Sequence, residues 1–190
     1  MNWLAHLLLS EPTPQFRVGN VLADILPIHE LRALAPEFQP GIARHREIDS
    51  FTDRHPIVRQ SIARLDTRFR RYGGVIVDIF YDHLLTANWA EHSALQLNPF
   101  VESFHQDVEQ CRPFIPSNAY SILFHMRTGE WLTSYGDIDG VHITLDRISR
   151  RLRRPFDLAS ASNELQRHYA EFTRDFEEFF PAIRARFHAH

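Results

Sequence analysis

The chain has 190 residues, 44% of them hydrophobic and 24% charged, with a formal net charge of -3. That usage predicts one folded domain with a sizeable core and excludes bulk disorder, while the lone cysteine, Cys111, excludes a disulfide framework or a cysteine-based zinc site and reads as a half-buried thiol. The charge excludes whole-molecule attraction to nucleic acid, and because all 21 basic residues are arginine there is no lysine for Schiff-base chemistry.

Apolar spacing is helical almost throughout, which predicts an all-α, single-domain helical bundle of about eight to ten helices. The first helix, 2–9, carries His6 in apolar surroundings. Its start lacks a basic leader, and no segment reaches the ~18 consecutive apolar residues of a membrane span, so a soluble cytoplasmic protein without a membrane partner is expected. The second helix, 15–26, carries Asn20 and Asp24. After 28–34 comes 38–52, with Pro40 in its first turn and with His45 and Asp49 four residues apart. Asp53 to Pro56 predict a stop and a new start, because a residue before proline resists the helical region. The helix 56–65 follows. A long helix, 68–92, opens with Arg70 and Arg71 and carries Asp78, Asp82 and His83. Helices are then expected at 97–112, 118–133 and 138–150. Val141–Leu145 alternates like a strand, but Asp137 and Asp139 ahead of it are capping residues and favour helix. A loop at 155–162 leads to a last helix, 161–188, whose phenylalanines (Phe172, Phe176, Phe179, Phe180, Phe187) read as a core stripe. Pro181 is expected to kink that helix or end it early.

The polar residues that interrupt the apolar pattern cluster in the first half. Side chains at i and i+4 share a helical face, so Asn20 with Asp24, His45 with Asp49, and Asp78 with Asp82 each present a pair. Asp78 lies among Val75, Ile76, Val77, Ile79 and Phe80, and a partly buried carboxylate must be paired, hydrogen-bonded or bound to a cation. Mixed imidazole and carboxylate donors on helices suit manganese, iron or zinc, and carboxylate-rich sets lean toward manganese or magnesium. Arg46 beside His45, and Arg70 and Arg71 ahead of Asp78, fit a phosphate ester held next to a metal, with surface ion pairing as the alternative. The run Arg147, Arg150, Arg151, Arg153 and Arg154 has two readings, a solvated helix end favoured by the helix dipole or a docking patch for an acidic partner. There is no P-loop, no dinucleotide fingerprint, no G-x-S-x-G elbow and no aromatic–basic interleaving on strands, so those nucleotide, esterase and RNA-binding classes are disfavoured.

Several motifs as a set resemble the acyl carrier protein phosphodiesterase family. They are Met1-Asn2-Trp3-Leu4-Ala5-His6-Leu7, Gly19-Asn20-Val21-Leu22-Ala23-Asp24, Gly41-Ile42 with His45-Arg46-x-Ile48-Asp49-x-Phe51-Thr52-Asp53-x-His55-Pro56, and Arg70-Arg71-Tyr72 before Asp78-x-Phe80-Tyr81-Asp82-His83. The motif-bearing part is 1–92, and the helical remainder, 93–190, matches mainly in length and character. The resemblance implies an all-helical, HD-like metal-dependent phosphohydrolase of fatty-acid metabolism. Such an enzyme removes the 4′-phosphopantetheine arm from holo acyl carrier protein with a divalent cation, typically Mn2+, with Mg2+ or Fe2+ as alternatives. The small departures are Trp3 where phenylalanine is usual, Leu8 in place of a common histidine, and Leu26-Pro27-Ile28 after Asp24; they bear on the mouth of the site.

On this basis the expected reaction is attack of a metal-activated hydroxide on the phosphodiester. The expected metal ligands are Asp24, His45, Asp82, His83 and His6. Asp24, His45, Asp49 and Asp78 are the expected catalytic residues, with His6, Asp49 and Asp78 as ligands or orienters. Since Asp82 and His83 are about 100° apart on a helix, Asp82 is favoured if only one reaches the metal. Asn20, Arg46, Arg70, Arg71, Arg150 and Arg151 are the expected contacts to substrate. The expected partner is acyl carrier protein, with the 147–154 run, or Arg68 with Arg70 and Arg71, recruiting it; no nucleic acid is expected. The alternative is an HD-type hydrolase acting on a nucleotide or other small phosphoester.

Overall fold

The computed structural model describes residues 2–187; Met1 of the first motif and position 188, the expected end of the last helix, lie outside them. Among the described residues all regular structure is helical. The helices are α1 (Trp3–Leu8), α2 (Pro14–Ile25), α3 (Ile28–Ala33), α4 (Gln39–Arg54), α5 (Pro56–Arg64), α6 (Gly73–Ala87), α7 (Trp89–His92), α8 (Leu97–Cys111), α9 (Ser117–Thr128), α10 (Ile138–Ser149), α11 (Ser162–Arg167) and α12 (Tyr169–Phe187), with short 3-10 turns between some of them. No described helix is long and apolar enough to cross a membrane.

Two of the expected long helices are divided, which raises the count to twelve. The stretch 68–92 begins as a 3-10 turn, Thr67–Tyr72, whose first N–H groups are capped by Asp66, and Asn88 separates α6 from α7. His168 separates α11 from α12. The helix expected to reach 133 stops at Thr128, where Gly129 and the left-handed Glu130 (φ 50°) turn the chain. Pro181 does not end α12. It removes one N–H, but Phe176, Phe179, Phe180 and Ile183 are buried on both sides of it, and their packing holds the helix together. At the 53–56 boundary α4 ends at Arg54, His55 caps α5, and Pro56 takes its first position. Val141–Leu145 lies within α10, capped by Asp137 through Gly140 N–H at 2.7 Å.

The chain packs as two compact units that alternate along the sequence. The first comprises Trp3–Asp49 and Trp89–Thr133. Here α2 packs on α8 through a buried Arg17, whose guanidinium lies over the Phe100 ring and pairs with Asp107 at 2.6 Å. Cys111, on α8, is fully buried, and burial followed by the charge of Asp107 pushes its thiol up to about 11. Two glycines let the N-terminal elements approach closely. A β-carbon on Gly41 would be driven into Phe16 O and to 2.9 Å from Asn20 N, and one on Gly19 would come to 2.5 Å from Phe38 O. The first contact sets α4 against the backbone of α2 beside Asn20.

The second unit comprises Ser50–Asn88 and the chain from Ser134 onward, with Asn2. The α12 stripe is its core: Phe172 meets Phe80 edge-on, while Phe176 and Phe179 pack on Tyr81. Asp175, on the same helix, is 2% exposed and accepts from Gln60, Ser61 and both ends of the Arg64 guanidinium at 2.7–3.1 Å. Burial opposes its charge, but these donors outweigh it and hold its carboxyl below the usual range.

Candidate metal centre

Three helices of the first unit bring His6, Asn20, Asp24, His45 and Asp49 together. Their positions follow from helix geometry: α2 presents Asn20 and Asp24 on one face, and α4 presents His45 and Asp49 on one face. His6 is fully buried on α1, and its ring stacks on that of His45 at 4.1 Å between centroids.

Asn20 fixes the chemistry of both rings. Its amide nitrogen donates to His6 O at 3.1 Å and to Ser10 Oγ at 2.8 Å, which turns Oδ1 toward the histidines. Oδ1 lies 3.0 Å from His6 Nδ1 and 3.2 Å from His45 Nδ1. An amide oxygen only accepts, so both Nδ1 atoms are protonated donors. Both Nε2 atoms then carry the lone pair in the neutral rings, and both face carboxylates. His6 Nε2 is 3.1 Å from Asp49 Oδ1; His45 Nε2 is 3.0 Å from Asp49 Oδ2 and 3.2 Å from Asp24 Oδ1. Lone pairs opposed at these distances repel unless each Nε2 takes a proton or a cation sits among them.

Protons meet the need only in part. Burial opposes charge on His45, yet the hydrogen bonds to Asp24 and Asp49 prevail and raise it to about 9. For His6 burial dominates, with the His45 charge adding to it, and the net shift is downward despite the bond to Asp49. Asp49 and Asp24 are themselves lowered: burial resists their charge, but the imidazole hydrogen bonds win. The arrangement therefore stores two carboxylates against one readily protonated ring and one that resists a proton.

A divalent cation would resolve that conflict, and the donor set fits one. His6, His45 and Asp49 offer ligand atoms within 4.8 Å of one another. Ligands about 2.1 Å from a shared ion lie about 3.0–3.4 Å apart, and the Nε2–carboxylate distances of 3.0–3.2 Å are of that size. Two imidazole nitrogens with carboxylate oxygens suit manganese, iron or zinc. Asn20 is then the outer partner that sets tautomer and ring orientation. The carboxylates lie on the solvent side, with Asp24 46% and Asp49 40% exposed, whereas the rings are sealed at 0% and 4%.

Two residues that sequence reasoning did not assign complete the site. Trp3 Nε1 donates to Asp24 Oδ2 at 2.9 Å, and its ring stacks on Trp131 at 6.0 Å. Ser10 Oγ donates to His6 O at 2.8 Å. Trp3 stands three residues before His6 on the same face of α1, a spacing that could have found it, whereas Ser10 lies in the bend just after that helix, where sequence gives no such signal.

The other expected residues take no part in the contacts just described. Asp78, Asp82 and His83 are on α6 in the second unit, Asp78 half-buried and the other two buried. His83 Nδ1 donates to Tyr135 O at 2.7 Å, which leaves its Nε2 buried without a hydrogen-bond partner among the described residues. Burial lowers its pKa against that bond. Arg46 is exposed on α4 in the first unit. Arg70, Arg71, Arg150 and Arg151 are exposed in the second, where Arg150 pairs with Asp146 at 2.6 Å.

Comparison with known proteins adds a family to this geometry. The sequence model described as acyl carrier protein phosphodiesterase matches residues 1–183. Relatives carrying that name include one from Escherichia coli O157:H7, 30% identical over 186 residues that cover 97% of this chain and 96% of the relative. Another, from Pectobacterium atrosepticum, is 28% identical over 189 residues, covering 96% and 95%. A third, from Photorhabdus laumondii, is 28% identical over 182 residues, covering 95% and 92%. No solved structure matches the chain significantly.

Proposed function

This chain belongs to the acyl carrier protein phosphodiesterase family and is thus a hydrolase acting on a phosphodiester bond; from that premise we propose that it is metal-dependent and releases 4′-phosphopantetheine from holo acyl carrier protein. One observation carries the reading: a single amide oxygen, Asn20 Oδ1, accepts from both Nδ1 atoms, so two Nε2 atoms converge with ionised carboxylates.

His6, His45 and Asp49 hold the cation in this proposal. Asp24 adds Oδ1, because its Oδ2 is engaged by Trp3. When bound, a divalent ion lowers the pKa of water and polarises a phosphoryl oxygen. The buried rings exclude water from one side, so the diester approaches from the side of Asp24 and Asp49. Arg46 is the exposed cation next to His45 and is assigned to the phosphate. Water oxygen joins phosphorus and the bond from phosphorus to the carrier serine oxygen breaks. The products are the serine hydroxyl and 4′-phosphopantetheine.

The test is to incubate the protein with holo carrier and Mn2+ and weigh the carrier. Loss of the arm's mass, abolished by EDTA and restored by Mn2+, is expected. An unchanged carrier mass with Mn2+ present refutes the reading. The half-exposed Trp3–Trp131 pair beside Asp24 favours a second reading, a small phosphoester bearing an aromatic base. Turnover of such esters with the carrier left intact is its signature.

A further inference from the structure

The two arginine runs that look like separate features in the sequence lie against one aromatic contact. One run is Arg68, Arg70 and Arg71 in the 3-10 turn Thr67–Tyr72; the other is Arg151, Arg153 and Arg154 after α10. Phe156, two residues past the second run, packs its ring on Tyr72 at 4.9 Å and meets Phe69 edge-on at 6.0 Å. Phe69 is fully buried, so the contact is anchored in the core of the second unit. The loop behind the second run is closed at its neck, where Leu158 N–H donates to Ser149 Oγ at 2.9 Å. Every arginine of both runs therefore stands within five residues of a ring in this clasp.

The side chains are exposed and arranged for a partner. Arg68 lies over the Phe69 ring at 4.4 Å and Arg71 over Tyr72 at 5.6 Å, which leaves the guanidinium edges to solvent. Arg68, Arg70, Arg71, Arg153 and Arg154 form no ion pair among the described residues. Against six arginines the same segments carry two exposed carboxylates, Asp66 and Asp157, the latter near enough to Arg68 to feel its charge, so positive charge predominates there in a chain of net charge -3.

We propose that these two runs form one docking surface for an acidic protein, which, resting on the function proposed above, is the acyl carrier protein itself. Planar guanidinium forks match carboxylates in pairs. A single-stranded nucleic acid would stack its bases on exposed rings, whereas Phe69 is buried and the clasp rings face one another. Insertion into a membrane surface would need apolar side chains beside the charge, and none of the large exposed hydrophobic residues lies in either run.

The experiment titrates the full chain with apo carrier protein, which has no arm to hydrolyse, by calorimetry at about 50 and 200 mM salt. Three variants are compared with the wild type: Arg68→Glu with Arg71→Glu, Arg153→Glu with Arg154→Glu, and Phe156→Ala. Each charge-reversed pair is expected to weaken binding about tenfold at low salt and to flatten the salt dependence. Phe156→Ala is expected to weaken it with all charges kept. The reversed positions are exposed, so the test stands even if the Phe156 variant does not fold. Wild-type affinity in either charge-reversed pair overturns the single surface. Parallel titrations with anionic vesicles and with a duplex oligonucleotide cover the other occupants, and a loss confined to either overturns it as well. Failure here, with the arm still released from holo carrier by the wild type, leaves the proposed hydrolysis intact; failure of release with carrier binding unchanged does the reverse.

Discussion

Asn20→Ala tests the proposed metal centre at its base. The side chain makes four contacts, two accepted from ring Nδ1 atoms and two donated to His6 O and Ser10 Oγ. Truncation leaves two buried ring donors without their acceptor, and each such group costs about 1–3 kcal/mol before relaxation. A net loss of about 3–4 kcal/mol is expected, a large share of the roughly 5–15 kcal/mol that holds a domain. The second effect is chemical. Without Oδ1 each neutral ring is free to move its proton to Nε2, and the lone pairs no longer converge. Mn2+ affinity should fall about 10–100-fold. Urea unfolding reads the first effect and calorimetric Mn2+ titration of the folded variant reads the second. Ser10→Ala is the control. It removes one partner of Nδ2 and leaves Oδ1 untouched, so it should cost about 1 kcal/mol with little change in metal affinity. A folded Asn20→Ala protein that binds Mn2+ like the wild type would refute the tautomer assignment.

Metal-free protein should melt highest at about pH 6.5–7. His45 is raised to about 9, so the stability it contributes is complete below about 6.5 and fades as pH climbs through 9. His6 is lowered by burial, so stability also falls as pH drops below about 6.5, and the lowered Asp24 and Asp49 add a further loss in acid. A calorimetric melting series without metal checks this, and a flat profile from pH 6 to 9 contradicts it. Gly41→Ala pushes α4 off the α2 backbone and should weaken both stability and Mn2+ binding; an unchanged metal affinity would show that the close approach does not set the site. Asp175→Ala strands Arg64 and Ser61 and should cost about 3 kcal/mol in urea unfolding, with Mn2+ binding unaltered. Cys111 should resist iodoacetamide at pH 8 until the protein unfolds, and stoichiometric labelling of the native form would contradict its burial.

Periodicity alone was enough to identify an all-helical chain and most of its helices, because an apolar stripe every third or fourth residue is a local property. It was also enough to pair Asn20 with Asp24 and His45 with Asp49, since residues four apart share a face whatever surrounds them. Breaks at Asn88 and His168 escaped it, and so did the continuation of α12 through Pro181, where buried phenylalanines outweigh local preference. Side-chain chemistry could nominate histidines and acids but not their partners. That His6, from the first helix, stacks on His45, that Trp3 holds Asp24, and that one amide oxygen dictates both tautomers are consequences of α1, α2 and α4 packing closely. The same holds for the arginines. Composition reveals their number, but only the ring of Phe156 against Tyr72 and Phe69 joins runs some eighty residues apart, because contacts between distant segments are set by burial and not by sequence spacing.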